Sequence, residues 1–130
     1  MTESSEHKLY YINKTSLTRE QLKQSADKAT AIIEVVFNKD EKTMIVSNLF
    51  SNQKGCGSAL MVFATKKAVK MGITEVILDD CSERYNQKDN LYVKMGMKYV
   101  SAGDGPEMIG KTNKVSKYCV QNKEIKEIKL

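Results

Sequence analysis

The chain has 130 residues, of which 41% are hydrophobic and 28% are charged, and its formal net charge is +5. A chain of this length builds one buried core, so we expect residues 1–130 to form a single globular domain. Its lysines are scattered and its arginines are Arg19 and Arg84, whereas nucleic-acid readers concentrate arginine and aromatic residues in one patch. The composition therefore argues against nucleic acid as a partner, and a basic nucleic-acid-binding domain stays open only as an alternative.

Residue types that often carry metal or nucleophilic chemistry are few. The three cysteines lack CxxC spacing, so we expect neither a zinc site nor a disulfide framework. His7 is the only histidine and lies near a polar N terminus, which disfavours Ser-His and Cys-His catalysis. The longest apolar run, residues 59–64, is too short to cross a bilayer, and the first residues lack a signal-peptide core. We expect a cytoplasmic or nuclear protein without a membrane partner.

The first half of the chain predicts a strand, a helix and a hairpin. Residues 7–13 are typical of a strand, and a helix begins at Thr18, which forms a capping box with Gln21. The runs at residues 30–37 and 43–50 are rich in β-branched side chains and are separated by a short polar turn. This pattern predicts an antiparallel hairpin.

The second half alternates between helical and extended patterns. The predicted elements are a helix over residues 59–71, a strand over 74–80, a helix over 84–95, a strand over 97–101, a loop over 103–114, a strand over 115–121, and a charged tail over 123–130 anchored by Ile125 and Ile128. Strands that alternate with helices predict an α/β fold with a mixed, partly parallel sheet and helices packed on it.

A glycine-bearing turn at residues 52–58 (NQKGCGS) joins the strand over 43–50 to the next helix. Such a junction directs unpaired backbone N–H groups outward at the positive end of a helix dipole, and glycine lets a ligand approach the backbone closely. The turn therefore predicts a site for phosphate or pyrophosphate. Neither standard nucleotide loop fits, because no Lys-Ser/Thr pair follows the second glycine and Leu60 replaces the third glycine of a dinucleotide motif.

Two segments in this order resemble the GCN5-related N-acetyltransferases. Residues 52–60 (NQKGCGSAL) resemble the family's R/Q-x-x-G-x-G/A motif between a strand and the long helix. Residues 90–100 (NLYVKMGMKYV) resemble its later Leu-Tyr-x-Lys-x-Gly-Phe segment. The resemblance covers about residues 44–100 and implies an acetyltransferase fold with its cofactor-binding core in this region.

The resemblance also implies a ligand and a reaction. The implied cofactor is acetyl-CoA, the implied acceptor is a primary amine, and the resemblance gives Tyr92 the role of protonating the departing CoA thiolate, which suits a phenol because it stays protonated at neutral pH. A homodimer is compatible with this reading. The implied cofactor-binding residues are Leu49, Phe50 and Ser51 for the pantetheine arm, and Gln53, Lys54, Gly55, Cys56, Gly57 and Ser58 for the pyrophosphate.

The sequence does not single out one residue that takes the proton from the amine. The strand over residues 43–50 supplies no carboxylate, which leaves Glu34, Asp79 and Asp80. We favour Asp80 as the catalytic carboxylate. A covalent route through Cys56 is an alternative, because a helix N-terminus can lower a thiol's pKa. A module that binds acyl-CoA or another protein without catalysis is the main alternative to an enzyme.

Overall fold

The structure is a computed structural model that describes residues 5–12, 31–51, 55–79, 90–100, 106–120 and 123–128. These ranges contain seven strands and three helices. The strands are β1 (Ser5–Ile12), β2 (Ala31–Asn38), β3 (Thr43–Ser51), β4 (Glu75–Asp79), β5 (Lys98–Tyr99), β6 (Glu107–Lys111) and β7 (Lys126–Ile128). The helices are α1 (Cys56–Lys70), α2 (Leu91–Lys94) and α3 (Thr112–Val115).

The described strands form one sheet in the order β5-β6-β4-β3-β2-β1-β7. β3 and β4 are parallel neighbours, and the other neighbouring pairs are antiparallel. A parallel pair needs a crossover connection, and α1 lies between these two strands in the chain. The predicted mixed α/β fold is therefore confirmed.

The predicted hairpin is also confirmed and forms the centre of the sheet. β2 and β3 pair along their whole length, and the turn between them is closed by a bond from the Lys42 N–H to the Lys39 carbonyl oxygen (3.3 Å). Asn38 supports the same turn, because its Oδ1 accepts from the Glu41 N–H (3.1 Å). Alternate residues of β2 are buried, as expected when one face of a sheet is covered.

The main core lies between α1 and one face of the sheet. We call this the α1 face; Ile33, Val35 and Val46 point from it into the core with the buried residues of α1. Tyr10 of β1 reaches the same core and packs edge-to-face on Phe63, with ring centroids 5.0 Å apart. We call the other side the opposite face; it carries a small separate cluster around Tyr11 and Ile32.

The predicted helix over residues 84–95 is confirmed at residues 91–94, but it does not run through Asn90. Asn90 has an extended backbone (φ −59°, ψ 134°), and α2 begins only at Leu91. The reason is local: the Asn90 side chain accepts from the N–H groups of Tyr92 and Val93 (2.8 and 3.4 Å) and so starts a helix instead of continuing one.

The predicted loop over residues 103–114 and strand over 115–121 are wrong. Strand β6 and helix α3 occupy residues 107–115 instead. Gly110 lies within β6, and a Cβ there would approach the Met97 Cγ to 2.8 Å. Gly110 therefore allows Met97 to approach β6 closely. In the sequence alone, the same glycine had indicated a loop.

At the C terminus, the charged tail contains a strand that the sequence did not predict. β7 pairs with β1 at the edge of the sheet, and Ile125 packs against the main core, so Ile125 is confirmed as an anchor. The helix predicted to begin at Thr18 lies outside the described residues. Among the helices that the structure describes, none is long and apolar enough to cross a membrane.

Candidate active site

Helix α1 begins in a left-handed turn that suits an anion. Gly55 is the N-cap residue, with φ 88° and ψ −17°, a conformation that glycine adopts without strain. No side chain caps the helix, and its first turn contains no acidic residue. The Ser58 hydroxyl donates to the Gly55 carbonyl oxygen (3.1 Å), so it does not cover a first-turn N–H group. These amides and the helix dipole favour a negatively charged ligand.

The second glycine of the turn holds α1 against the end of β3. A Cβ placed on Gly57 would lie 3.4 Å from the Ser51 Cβ and 3.8 Å from its Oγ. An alanine side chain fits this space, but a larger one meets the strand. Gln53 and Lys54 of the predicted pyrophosphate site lie outside the described residues.

Beside this turn, β3 and β4 separate and leave a cavity. Their parallel pairing runs from Thr43 and Glu75 to Val46 and Leu78, and in the part of the chain that the structure describes Asp79 has no register partner on β3. The β2–β3 register shifts between Glu34 and Val35, a β-bulge that re-aims the following residues of β3. The resulting cavity has a volume of about 470 Å³ and is lined by Ile45, Val46, Ser47, Asn48, Leu49, Ile77, Leu78, Asp79 and Tyr92.

The cavity walls come from both faces of the sheet. Val46 and Leu78 belong to the main core, and Leu49 packs against it, so these three lie on the α1 face. Ile45 and Ile77 alternate with those core residues along their strands and lie on the opposite face. The cavity therefore spans the gap between the two strands. Its Leu49 wall lies two residues from Ser51, about 7 Å from the end of β3 that contacts Gly57.

Tyr92 lines this cavity from helix α2. It is partly buried and packs against the main core, which gives its ring a fixed environment. Asn90, only 1% exposed, holds the start of the helix through its bond to the Tyr92 N–H (2.8 Å). The sequence analysis missed Asn90; an asparagine directly before the Leu-Tyr pair is the capping signal that could have identified it.

The three candidate carboxylates occupy different positions. Asp79 is exposed and lines the cavity, whereas Asp80 lies outside the described residues. Glu34 is directly opposite Asn48 across β2 and β3, but its Oε2 lies 2.5 Å from the His7 Nε2. His7 thus lies within strand β1. It pairs with Glu34 of β2, a strand that does not line the cavity.

The remaining predicted cofactor residues differ in environment. Phe50 is partly buried on the opposite face, where it packs against the Tyr11 and Ile32 cluster, and it is not among the residues that line the cavity. Cys56 is 1% exposed and belongs to the main core. Because its thiol is enclosed in the core and does not line the cavity, the packing gives no support to the covalent route.

Comparisons with known proteins identify the fold. No family profile matches the sequence, and no curated protein matches it. The structure is similar to that of Tetrahymena GCN5, with a TM-score of 0.54 and 15% identity over 82% of this chain and 68% of that one. It is also similar to nourseothricin acetyltransferase, with a TM-score of 0.52 and 14% identity over 85% of this chain and 88% of that one. The chain has the fold of the GCN5-related N-acetyltransferases.

Proposed function

We propose that this protein is an N-acetyltransferase that moves an acetyl group from acetyl-CoA to a primary amine. The observation that carries the proposal is the cavity between the separated ends of β3 and β4, with Tyr92 on its wall and an uncapped helix N-terminus nearby. The acetyltransferase fold supports this reading. In this proposal residues 1–130 form one domain, and its cofactor-binding core spans about residues 44–100.

The donor binds along the end of β3 and the start of α1. Its pyrophosphate accepts hydrogen bonds from the backbone amides between Gln53 and Ser58. Its pantetheine arm pairs with Leu49, Phe50 and Ser51, which lie beyond the last described register pair of β3 with β4, Val46 and Leu78. This arrangement places the thioester in the cavity beside Tyr92. The backbone supplies most of the binding, so side-chain charge contributes little.

Acetyl transfer is by direct attack in this proposal. The ammonium group of the acceptor first loses a proton to a carboxylate, for which Asp80 at the carboxyl end of β4 is the proposed residue. The neutral amine nitrogen then bonds to the thioester carbonyl carbon and loses its second proton to solvent, and the C–S bond breaks. Tyr92 gives its hydroxyl proton to the CoA thiolate and recovers a proton from solvent. Holding both reactants in the cavity replaces a bimolecular encounter with a positioned reaction.

Two measurements test this function. Mass spectrometry under native conditions shows whether CoA purifies with the protein and how many subunits assemble. Isothermal titration with acetyl-CoA, followed by a CoA-release assay over a panel of amines, then separates an enzyme from a module. Binding with amine-dependent release of CoA supports the enzyme, whereas binding without release on any amine supports a catalytically silent module. Affinity for DNA or RNA that falls steeply with salt, without CoA binding, would support the nucleic-acid alternative.

A further inference from the structure

Ile45, which is exposed, and Ile77, which is partly buried, form an apolar pair at the cavity. They are register partners in the parallel β3–β4 pairing, and both line the cavity. Their chain neighbours are buried in the main core, whereas Ile45 is 41% exposed. An aliphatic pair open to a cavity offers contact area to an apolar part of a ligand.

The pair lies on the side of the cavity that the donor does not use. Helix α1 and Tyr92 both pack against the main core, so the proposed pyrophosphate site and the proposed acid belong to the α1 face. Ile45 and Ile77 belong to the opposite face. A donor bound along α1 fills the first side, and the acceptor must therefore reach the thioester from the second side, across Ile45 and Ile77.

The charges on the opposite face favour a cationic acceptor. At one end of the β4–β6 pair, Glu75 faces Lys111, and the two side chains form an ion pair at 3.4 Å. At the cavity end, Asp79 faces Glu107 instead, and no described cation contacts either carboxylate. Like charges directly opposite each other destabilise a sheet, and an ammonium group in the cavity beside Asp79 would reduce that repulsion.

We propose that the acceptor is a primary amine at the end of an unbranched aliphatic chain, with no carboxylate beside the amine. Its methylene groups lie on Ile45 and Ile77, and Asp79, which lines the cavity, attracts its ammonium group, while Glu107 behind it on β6 adds to the negative charge. This inference rests on the proposed function and names its substrate class. Each methylene group that becomes fully buried strengthens binding about fourfold, so chain length and chain polarity determine affinity.

Three small amines of matched size test the apolar contact and the charge. Pentylamine is the expected type of ligand, 3-methoxypropylamine replaces one of its methylene groups with an ether oxygen, and norleucine adds a carboxylate beside the amine. Each is titrated into protein carrying ¹³C-labelled isoleucine methyl groups, with CoA present. We expect pentylamine to shift the methyl signals of Ile45 and Ile77, to bind at least about fourfold more tightly than the ether, and at least about tenfold more tightly than norleucine.

Two matched variants test whether the preference for pentylamine over the ether arises at Ile45. Ile45 and Val69 are aliphatic and similarly exposed, at 41% and 42%, but Val69 lines a different groove. Ile45→Thr should remove the preference for pentylamine over the ether, and Val69→Thr should keep it. Equal affinity for the two amines, or no shift at Ile45 and Ile77, overturns the inference. CoA itself is titrated in a separate experiment, so a failure of acyl-CoA binding, which would overturn the proposed function, is distinguished from a failure of this inference.

Discussion

Gly57 faces Ser51 with room for no more than a methyl group between them, since a Cβ on the glycine would be 3.4 Å from the Cβ of the serine. This close approach brings the first turn of α1 to the end of β3, and these are the two segments proposed to bind the donor. The absence of a side chain at Gly57 therefore sets the distance between the helix and the strand, and with it the geometry of the amides that would meet the pyrophosphate.

Gly57→Val should abolish CoA binding while the protein stays folded. The two methyl groups of valine extend beyond the Cβ into the space held by Ser51, which must move away from α1. Ser51 is exposed, so the strand end can shift without disrupting the core. Isothermal titration with CoA and a urea unfolding curve measure the two effects. Gly57→Ala is the control and should bind CoA within about threefold of the parent, under 1 kcal/mol. Unchanged affinity in Gly57→Val would exclude the proposed pyrophosphate site.

Gly55→Ala should destabilise the protein for a different reason. No atom lies within 4 Å of a Cβ at Gly55, so space is available, but its φ of 88° strains any residue with a side chain. We expect a loss of about 1–2 kcal/mol in the free energy of unfolding, measured with urea. Gly72 is a matched control, because it combines a φ of 80° with the same open surroundings at the other end of α1. Gly72→Ala should lose similar stability and keep full CoA affinity; equal losses of CoA affinity in both variants would contradict a local role for Gly55.

Asn90→Ala should lower both stability and turnover. The substitution removes the acceptor for the N–H groups of Tyr92 and Val93, and loss of such a cap costs about 0.5–2 kcal/mol. It also loosens the backbone that positions the Tyr92 ring. Asn90→Asp keeps an acceptor oxygen and should retain more stability and more activity than Asn90→Ala. The check is urea unfolding together with kcat for both variants. Full kcat in a destabilised Asn90→Ala protein would show that Tyr92 does not depend on this cap.

The sequence predicted the parts of the fold that depend on local patterns. The hairpin of β2 and β3 and the helix α1 follow from β-branched runs, an apolar helical face and glycine boundaries. The described residues 107–120 were not predicted well, because their signals have more than one meaning. Gly110 indicates a loop locally, but it allows Met97 to approach β6 closely. Only the three-dimensional contact distinguishes the two cases.

The candidate site was also predicted only in part, because some of its features depend on contacts between distant parts of the chain. Gly55 and Gly57 could be identified because a strand-to-helix junction requires particular backbone conformations, and Tyr92 was identified from the resemblance. The side-chain pairing of His7 with Glu34 and the repulsive pair of Asp79 and Glu107 depend on strand register. Register brings together residues that are distant in the chain, and no local pattern in the sequence specifies it.

Tyr10 should make the protein less stable at alkaline pH. Burial raises the pKa of Tyr10 well above its ordinary value, and the nearby carboxylates of Glu127 and Glu6 raise it further. In the unfolded chain the phenol ionises near pH 10, about its ordinary pKa, whereas the folded protein keeps the proton. The unfolded state then binds fewer protons, so stability is fully present below about pH 10 and falls as the pH rises from there, by up to about 1.4 kcal/mol per pH unit.

Tyr10→Phe cannot ionise in either state, so its stability should fall less steeply with pH. Urea unfolding of the parent and the variant between about pH 9 and 11.5 measures the two slopes, in the range where a free phenol titrates. The comparison concerns slopes and not absolute stability, because the lost hydroxyl also changes packing near Phe63. Parallel curves for the two proteins would show that Tyr10 does not cause the alkaline loss.

Tyr92→Phe should affect the chemical step more than donor binding. Its hydroxyl is proposed to meet negative charge that develops on sulfur only as the C–S bond breaks, and an interaction made only in the transition state lowers kcat when it is removed. General-acid catalysis contributes roughly 10²–10⁴-fold, so kcat should fall by that order while acetyl-CoA affinity stays within about threefold. Phenylalanine keeps the ring that packs against the core, which separates this effect from a folding defect.

The control for this experiment is Tyr118→Phe. Tyr118 is another partly buried tyrosine that packs against the main core, but it does not line the cavity. The same loss of a hydroxyl there should leave kcat unchanged. Steady-state kinetics with an amine found in the acceptor panel, and titration with acetyl-CoA, give kcat and affinity for both variants. If Tyr92→Phe keeps the kcat of the parent from about pH 6 to 9, a range in which a phenol stays protonated, the thiolate takes its proton from solvent and Tyr92 serves only as part of the cavity wall.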